Sequence, residues 1–383
     1  MRILIVGAGV AGPTLAYWLA RAGFQPTVVE RARGQRSSGN PVDVRGPALP
    51  VAEQMGVIPA LREAATTVTA MRLIDSHGRR GRRLPMPAGR SAAGTEEIEV
   101  PRADLATILY EAARDHAEFV FDDTVTGFSQ EPDGVDVVFE RSAPRRFDLV
   151  VGADGLHSAV RRLAFGPEER FVRHLGVYVA TTPLGEPVDH PDEALMYNTP
   201  GRLISVHPSR DHALLAFIFR GAAIPGFDHR DVALHKRVLL EAYAKDRNWL
   251  VPEYLERVRA AEDLYFDGVS KVVLPSWTTG RVTLLGDAAA SVSLFGDGSS
   301  MAMAGAQTLA NALRENGTPS QGDRDPALAL KRYEAEHRRR TDPKGRNARF
   351  AAALIVPSTR PGIALRNAAA RLATRDEKQA AQR

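Results

Sequence analysis

The chain has 383 residues, 44% of them hydrophobic and 25% charged, with a net charge of +4; this is the profile of a globular protein long enough for two interleaved domains. Cysteine is absent, which excludes disulfides, thiolate catalysis, iron–sulfur clusters, thiolate zinc sites and any cofactor linked through sulfur. The arginines are scattered, with clusters at residues 79–83 and 338–340 and no basic stripe interleaved with aromatics, so nucleic-acid binding is not expected.

Residues 1–6 (MRILIV) form an apolar, β-branched run that ends in Gly7-Ala8-Gly9-Val10-Ala11-Gly12, after which Leu15, Leu19 and Ala20 continue at helical spacing. The pattern predicts strand, glycine-rich turn, helix. Gly7 permits the tight turn, Gly9 lets the backbone approach a pyrophosphate, and Gly12 lets the helix pack closely on the strand, while the helix N-terminus offers N–H groups to the anion. Residues 26–30 read as the second strand. Its closing Glu30 lies 18 residues past Gly12, where a carboxylate accepts hydrogen bonds from the two ribose hydroxyls of an adenosine. An acid at this position favours an unphosphorylated ribose, hence FAD or NAD over NADP.

A Gly/Ser/Pro-rich loop at 34–41 leads to Val42-Asp43-Val44-Arg45-Gly46 and a helical stretch at 49–64. Strand-like pieces at 71–75, 83–86 and 96–100 predict an excursion away from the nucleotide domain, and a helix follows from Arg102 to about His116. Four strands (119–122, 124–131, 134–140, 146–151) lead into Gly152-Ala153-Asp154-Gly155 and a helix at 158–163. A second strand-rich region at about 171–219, helices at 231–245 and 252–261, and a strand at 264–274 precede a return to the nucleotide domain at 281–285, which ends in Gly286-Asp287-Ala288-Ala289. Helices at 301–314 and 326–340, split by a polar loop at 317–325, and an Ala/Arg-rich, partly helical tail complete the chain, and no internal repeat is visible.

Three turns of one form, a Gly/Asp turn after an apolar strand, belong at the carboxyl ends of parallel strands and so converge on one extended dinucleotide. These are Gly7 to Gly12 with Glu30-Arg31, Asp148 to Gly155 followed by Ser158 and Arg161, and Val282 to Ala289. On them, about residues 1–340 resemble the class A flavoprotein monooxygenases, the para-hydroxybenzoate hydroxylase-like group that includes tetracycline-inactivating and polyketide-tailoring hydroxylases. Gly305 to Leu313 resembles that family's helix beyond the isoalloxazine.

The resemblance implies an α/β fold. A Rossmann-like FAD-binding domain at 1–72, 99–170 and 275–345 is interleaved with a smaller, mostly β substrate domain at 73–98 and 171–274, plus a C-terminal helical tail at 346–383. It implies non-covalent FAD held at Gly7, Gly9, Val10, Ala11 and Gly12. Glu30 is then on the adenosine ribose, Arg31 near the adenine end, Arg102 on the pyrophosphate or ribityl chain, Val125 on the adenine through its backbone, and Asp287 on a ribityl hydroxyl. Asp154 would serve both FAD and the nicotinamide partner. Gly298, Ser299, Ser300 and Met301 would present N–H groups to the N1–C2=O edge. Arg45, beside the flavin, is the one side chain with a candidate catalytic part.

The implied reaction is hydroxylation of an aromatic or polycyclic, polyketide- or tetracycline-like small molecule. NADPH or NADH binds transiently and reduces the flavin, O2 adds at C4a, and the hydroperoxide transfers one oxygen. Substrate is expected between flavin and strand-rich domain, near Met196, Tyr197, Phe217 and Phe219, residue types that equally suit a sheet core. The chain departs from the family pattern after Gly-Asp-Ala-Ala. Family members carry an aromatic or His there and a Pro four residues on, where this chain has Ala290 and Leu294. Leu294 therefore keeps open an alternative on the same fold, an FAD-dependent dehydrogenase or reductase, or a redox-neutral cyclase, without oxygen insertion.

His157, His207, His212 and His235 lack HExxH or paired spacing, so no metal is expected, and no GxSxG elbow occurs. With no basic-then-apolar leader and no run of about 18 apolar residues, a cytoplasmic location without membrane contact is expected.

Overall fold

The computed structural model describes residues 1–34, 41–75, 77–85, 96–209, 213–291, 297–315, 326–346 and 354–368. Leu294, His212 and the loop at 317–325 lie outside the described residues.

The chain opens with β1 (Arg2–Val6), α1 (Ala11–Arg21), β2 (Gln25–Glu30), β3 (Pro41–Arg45), α2 (Ala48–Gln54) and α3 (Ile58–Ala64). It continues through β4 (Ala70–Ile74), β5 (Arg80–Pro85), β6 (Glu97–Pro101), α4 (Arg102–Ala113) and β7 (Glu118–Phe121). Next come β8 (Val125–Glu131), β9 (Gly134–Phe139), β10 (Arg145–Phe147), β11 (Leu149–Gly152) and α5 (Ala159–Phe165). Then follow β12 (Val172–Pro183), β13 (Glu193–Thr199), β14 (Arg202–His207), β15 (Leu214–Arg220), α6 (Val232–Tyr243), α7 (Val251–Ala260) and β16 (Tyr265–Val272). The last are β17 (Thr278–Thr279), β18 (Val282–Leu284), α8 (Asp297–Glu315) and α9 (Ala327–Arg346).

The first sheet has the order β17-β18-β11-β1-β2-β7, parallel from β18 to β7. Its central strands are buried on both faces, which is why they read as continuous apolar runs: Ile3, Leu4, Ile5, Leu149, Val150, Val151, Val282 and Leu284 are fully buried. Helix α1 lies against the sheet between α4 and α8, and the meander β8–β10 packs on β1 and β11. The second sheet, β16-β12-β15-β14-β13-β4-β5, is antiparallel except where β4 joins β13 in parallel. Helices α6 and α7 cover one of its faces through a separate apolar core containing Tyr178, Phe217, Leu239, Tyr243 and Leu255.

Two sequence expectations change. The helix expected at 49–64 is two helices, because Gly56 adopts φ +73 and its N–H and that of Val57 fold back onto the carbonyls of Glu53 and Ala52. The strand expected at 146–151 divides at Asp148, whose N–H donates to the Arg2 carbonyl and whose carboxylate accepts the Arg2 N–H. One half then joins the meander and the other the parallel sheet. The segment after the glycine-rich loop, left without an assignment by its sequence, is β3, paired with β6 in a two-stranded ribbon.

Candidate active site

Strands β1, β11 and β18 end level with one another, Val6 beside Gly152 and Gly152 beside Leu284, so their three turns open on one edge of the sheet. Gly7 has φ +107, and a Cβ there would stand 2.6 Å from the Ala153 carbonyl oxygen. A Cβ on Gly12 would overlap the Gly7 carbonyl. Both positions therefore require glycine for the protein's own packing. Gly9 differs, since a Cβ there would meet nothing within 4 Å. Val10 and Ala11 start α1 with no side-chain cap, leaving its first-turn N–H groups for an anion. Glu30, at the end of β2, accepts from Ala8 N–H at 2.9 Å and Ala32 N–H at 2.8 Å, so it braces the glycine turn and keeps lone pairs for further donors. Arg31 follows, exposed. Burial, together with His157, Arg230 and Arg31, holds the nearby His229 imidazole down to about 4. Val125 is buried at the start of β8.

At the second turn, Asp154 accepts from Ser158 Oγ at 2.5 Å and from the N–H groups of Ala159 and Val160 at 2.7 and 3.2 Å, which caps α5. Burial pushes its carboxyl up and these bonds oppose that. Arg161, fully buried, donates to the Ala288 carbonyl at 3.1 Å and the Leu156 carbonyl at 2.5 Å, tying the second turn to the third. There Asp287 sits in a single 3-10 turn (Gly286–Ala288). Burial pushes the Asp287 carboxyl above the usual carboxylate range and Arg102, at the start of α4, opposes it. No hydrogen bond reaches that carboxylate among the described residues. The bare backbone at Gly9, the uncapped start of α1 and the unpartnered Asp287 fit a pyrophosphate followed by a polyhydroxylated chain, as in FAD.

Beside this cradle stands the β3–β6 ribbon. Val42, Val44, Ile98 and Val100 turn into the core, which leaves Asp43, Arg45, Glu97 and Glu99 on the other face by strand alternation. Across the ribbon Asp43 faces Glu99 and Arg45 faces Glu97. Gly298, Ser299, Ser300 and Met301 form the first turn of α8. Ser300 Oγ donates to the Asp43 carbonyl at 2.8 Å and accepts from Arg45 N–H at 3.0 Å. The Arg45 guanidinium meets Asp297 at 3.0 Å, Asp43 at 3.4 Å and Glu97 at 3.5 Å. Burial works against its charge, and Asp297 and Asp43 more than restore it.

The polar ribbon face looks onto the seven-stranded sheet, because His207 Nε2 of β14 lies 3.5 Å from Glu99 Oε1. Cross-strand register then sorts the proposed lining. Tyr197, Phe217 and Phe219 belong to the opposite face, in the core under α6 and α7, and this corrects their assignment to the substrate space. Of the four, Met196 alone is on the ribbon side, in register with Leu73, Ser205 and, through Ser205, with Ala216, Thr181 and Tyr265. The side chains that sequence reading missed are Asp43, Glu97, Glu99, His207 and Tyr265. The signal for the three carboxylates was the period-two alternation of Pro41-Val42-Asp43-Val44-Arg45 and Glu97-Ile98-Glu99-Val100-Pro101, in which every non-core position but the prolines is charged, and His207 and Tyr265 lie outside it.

Among the described residues, no group of three or more His, Asp or Glu is placed to hold a metal, and no helix is long and apolar enough to cross a membrane. The family model for the FAD binding domain matches residues 1–344. An uncharacterised protein of Mycobacterium tuberculosis is 38% identical over 341 residues, covering 87% of this chain and 89% of the relative. A flavin-dependent monooxygenase of Legionella longbeachae is 33% identical over 322 residues, covering 82% of this chain and 80% of the relative. The crystal structure of the tetracycline destructase Tet(55) superposes with a TM-score of 0.81 at 29% identity, over 97% of this chain and 95% of that one. The sequence motifs, the cradle and these similarities agree, and the chain belongs to the FAD binding domain family as a class A FAD-dependent monooxygenase.

Proposed function

We propose that this enzyme is an NAD(P)H-driven hydroxylase of an aromatic or polycyclic small molecule, tetracycline- or polyketide-like, with oxygen inserted through a flavin C4a-hydroperoxide. The observation that carries the reading is the facing of two surfaces: the polar side of the β3–β6 ribbon, next to the cradle, and the Met196 stripe of the seven-stranded sheet. Likeness to tetracycline destructases along nearly the whole chain supports the substrate class.

FAD supplies the redox chemistry, so no side-chain nucleophile is needed. In this reading Gly7, Gly9, Val10, Ala11 and Gly12 take the pyrophosphate, Glu30 the ribose, Arg31 and Val125 the adenine end, and Arg102 and Asp287 the ribityl chain. Asp154 orders the turn beside which the nicotinamide partner docks. The α8 N-terminus, at Gly298 to Met301, stabilises negative charge on the ring edge, and Arg45, held by three carboxylates, orients what lies above it.

Labelled O2 tests the proposal against a panel of phenolic and polycyclic compounds that includes tetracycline. One labelled oxygen in the product with little H2O2 is expected. Quantitative H2O2 with no oxygenated product across the panel overturns it in favour of the dehydrogenase, reductase or cyclase alternative that Leu294 leaves open.

A further inference from the structure

The four carboxylates around the ribbon are not equivalent. Asp297 pairs with Arg45 and with Lys344 at 3.0 Å, and Glu97 pairs with Arg45. Glu99 accepts from Thr66 Oγ1 at 2.5 Å and faces His207. Burial alone would raise Glu99, and the His207 and Thr66 contacts more than offset it, holding its carboxyl below the usual range. Glu99 therefore stays an anion. Asp43 has only Arg45, 3.4 Å from Oδ2, and its carboxylate takes no hydrogen bond among the described residues. It is one-fifth exposed, its own carbonyl is bonded to Ser300 in the first turn of α8, which ties its strand to the proposed flavin-edge site, and its carboxylate is on the ribbon face turned to the second sheet.

We propose that Asp43 is the proton acceptor of the reaction and that the substrate is a phenol or enol whose hydroxyl it deprotonates. This deepens, and rests on, the hydroxylase reading. The substrate O–H bond breaks, the proton bonds to Asp43 Oδ1, and the electron pair stays on the substrate oxygen, from which it enriches the ring or enol carbon for an electrophilic oxygen. Nothing is oxidised in this step. After transfer, the carbon that gained oxygen loses its own proton to solvent and Asp43 returns its proton to the hydroxyl.

The groups facing Asp43 suit a carboxylate that exchanges protons near neutrality. Burial raises it, Arg45 opposes this, and Glu97, Glu99 and Asp297 add to the rise, which carries it to about 6. From the sheet side the titratable group that reaches the ribbon is His207, already engaged by Glu99. Asp43 is thus anionic and competent above pH 6 and loses that competence as pH falls through 6.

The test compares the FAD-loaded wild type with Asp43→Asn and Asp43→Glu, using tetracycline and the hydroxylated compounds of the panel between pH 5 and 8.5. The wild type should show an acid limb near pH 6 in kcat. Asp43→Asn should keep its FAD, lose about 100-fold in kcat with KM little changed, lack the acid limb and divert reducing equivalents to H2O2; Asp43→Glu should regain part of the rate with a displaced limb. An Asn variant within about threefold of wild type with the same limb overturns the proposal, as does one that fails to retain FAD, since Asp43 is then an anchor. If the wild type itself makes no oxygenated product, the hydroxylase reading fails first, which the labelled-O2 measurement on wild type alone reveals.

Discussion

The three glycines of the first turn occupy equivalent places in the sequence and unequal ones in space. Gly7 and Gly12 touch their own backbone, whereas Gly9 borders open space. Gly12→Ala should therefore cripple folding, because the methyl has no room against the Gly7 carbonyl. Gly9→Ala should leave the apoprotein's melting temperature nearly unchanged and weaken FAD binding, measured by fluorescence titration. Asp287 makes the complementary case from the third turn. Its carboxylate is buried with no hydrogen bond among the described residues, so Asp287→Ala should hold or raise apoprotein stability while costing FAD affinity about 1.5–3 kcal/mol, the worth of hydrogen bonds to a charged acceptor. A fall in apoprotein stability with FAD affinity intact would contradict its role.

At the scale of elements, α8 is held from two sides, by the ribbon through Ser300 and by α9 through Gly305 and His337. A Cβ at Gly305 would stand 2.7 Å from His337 Nε2, so glycine there sets how closely the helices approach. His337 is 3% exposed and rests against Tyr333 and Trp277. Burial, helped by Arg340, lowers its imidazole to about 4. The native state thus resists a proton that the unfolded chain accepts near pH 6.5. Stability from this residue is intact above pH 6.5 and falls by up to about 3 kcal/mol as pH drops toward 4. Asp43, raised to about 6, acts oppositely, since acid relieves the cost of its buried charge. Melting temperatures at pH 7 and 5 should show a net fall in the wild type and a shallower one in His337→Gln; equal slopes would remove His337 from the account.

Across the whole molecule, the two sheets have largely separate apolar cores, with Val272 of β16 reaching into the first, and the ribbon meets the second sheet at Glu99 and His207, while the proposed cofactor cradle gathers β1, β2, β11, β18, α4 and α8. A ligand bound by so many elements of the native state adds its binding energy to folding. FAD at 100 times its dissociation constant should stabilise the protein by about 2.7 kcal/mol, with a concentration-dependent rise in melting temperature. Because the chain has no cysteine, heating should release intact FAD into the supernatant. Flavin that stays with the denatured protein would show a covalent link through another side chain.

The sequence by itself determined the nucleotide half of this protein. Its signals are local: a fingerprint packed into six residues, an acid at a set distance, apolar runs long enough for strands buried on both faces. Each survives without knowledge of what folds against it. The substrate half was legible only as strands. Tyr197, Phe217 and Phe219 look as fit for a binding pocket as Met196, because composition does not say which face of a sheet meets the helices and which meets the ribbon. That is decided by register across seven strands, five of them from one stretch of chain and two from another. Asp43 was hidden for the same reason. Two residues from Arg45, it reads as one charge among many, and only the pairing of β3 with β6, the contact of β3 with α8 and the approach of His207 to Glu99 mark it, among the described residues, as the ribbon carboxylate without a hydrogen bond. Local motifs carry the signature of the cofactor, and long-range packing decides which groups share a face.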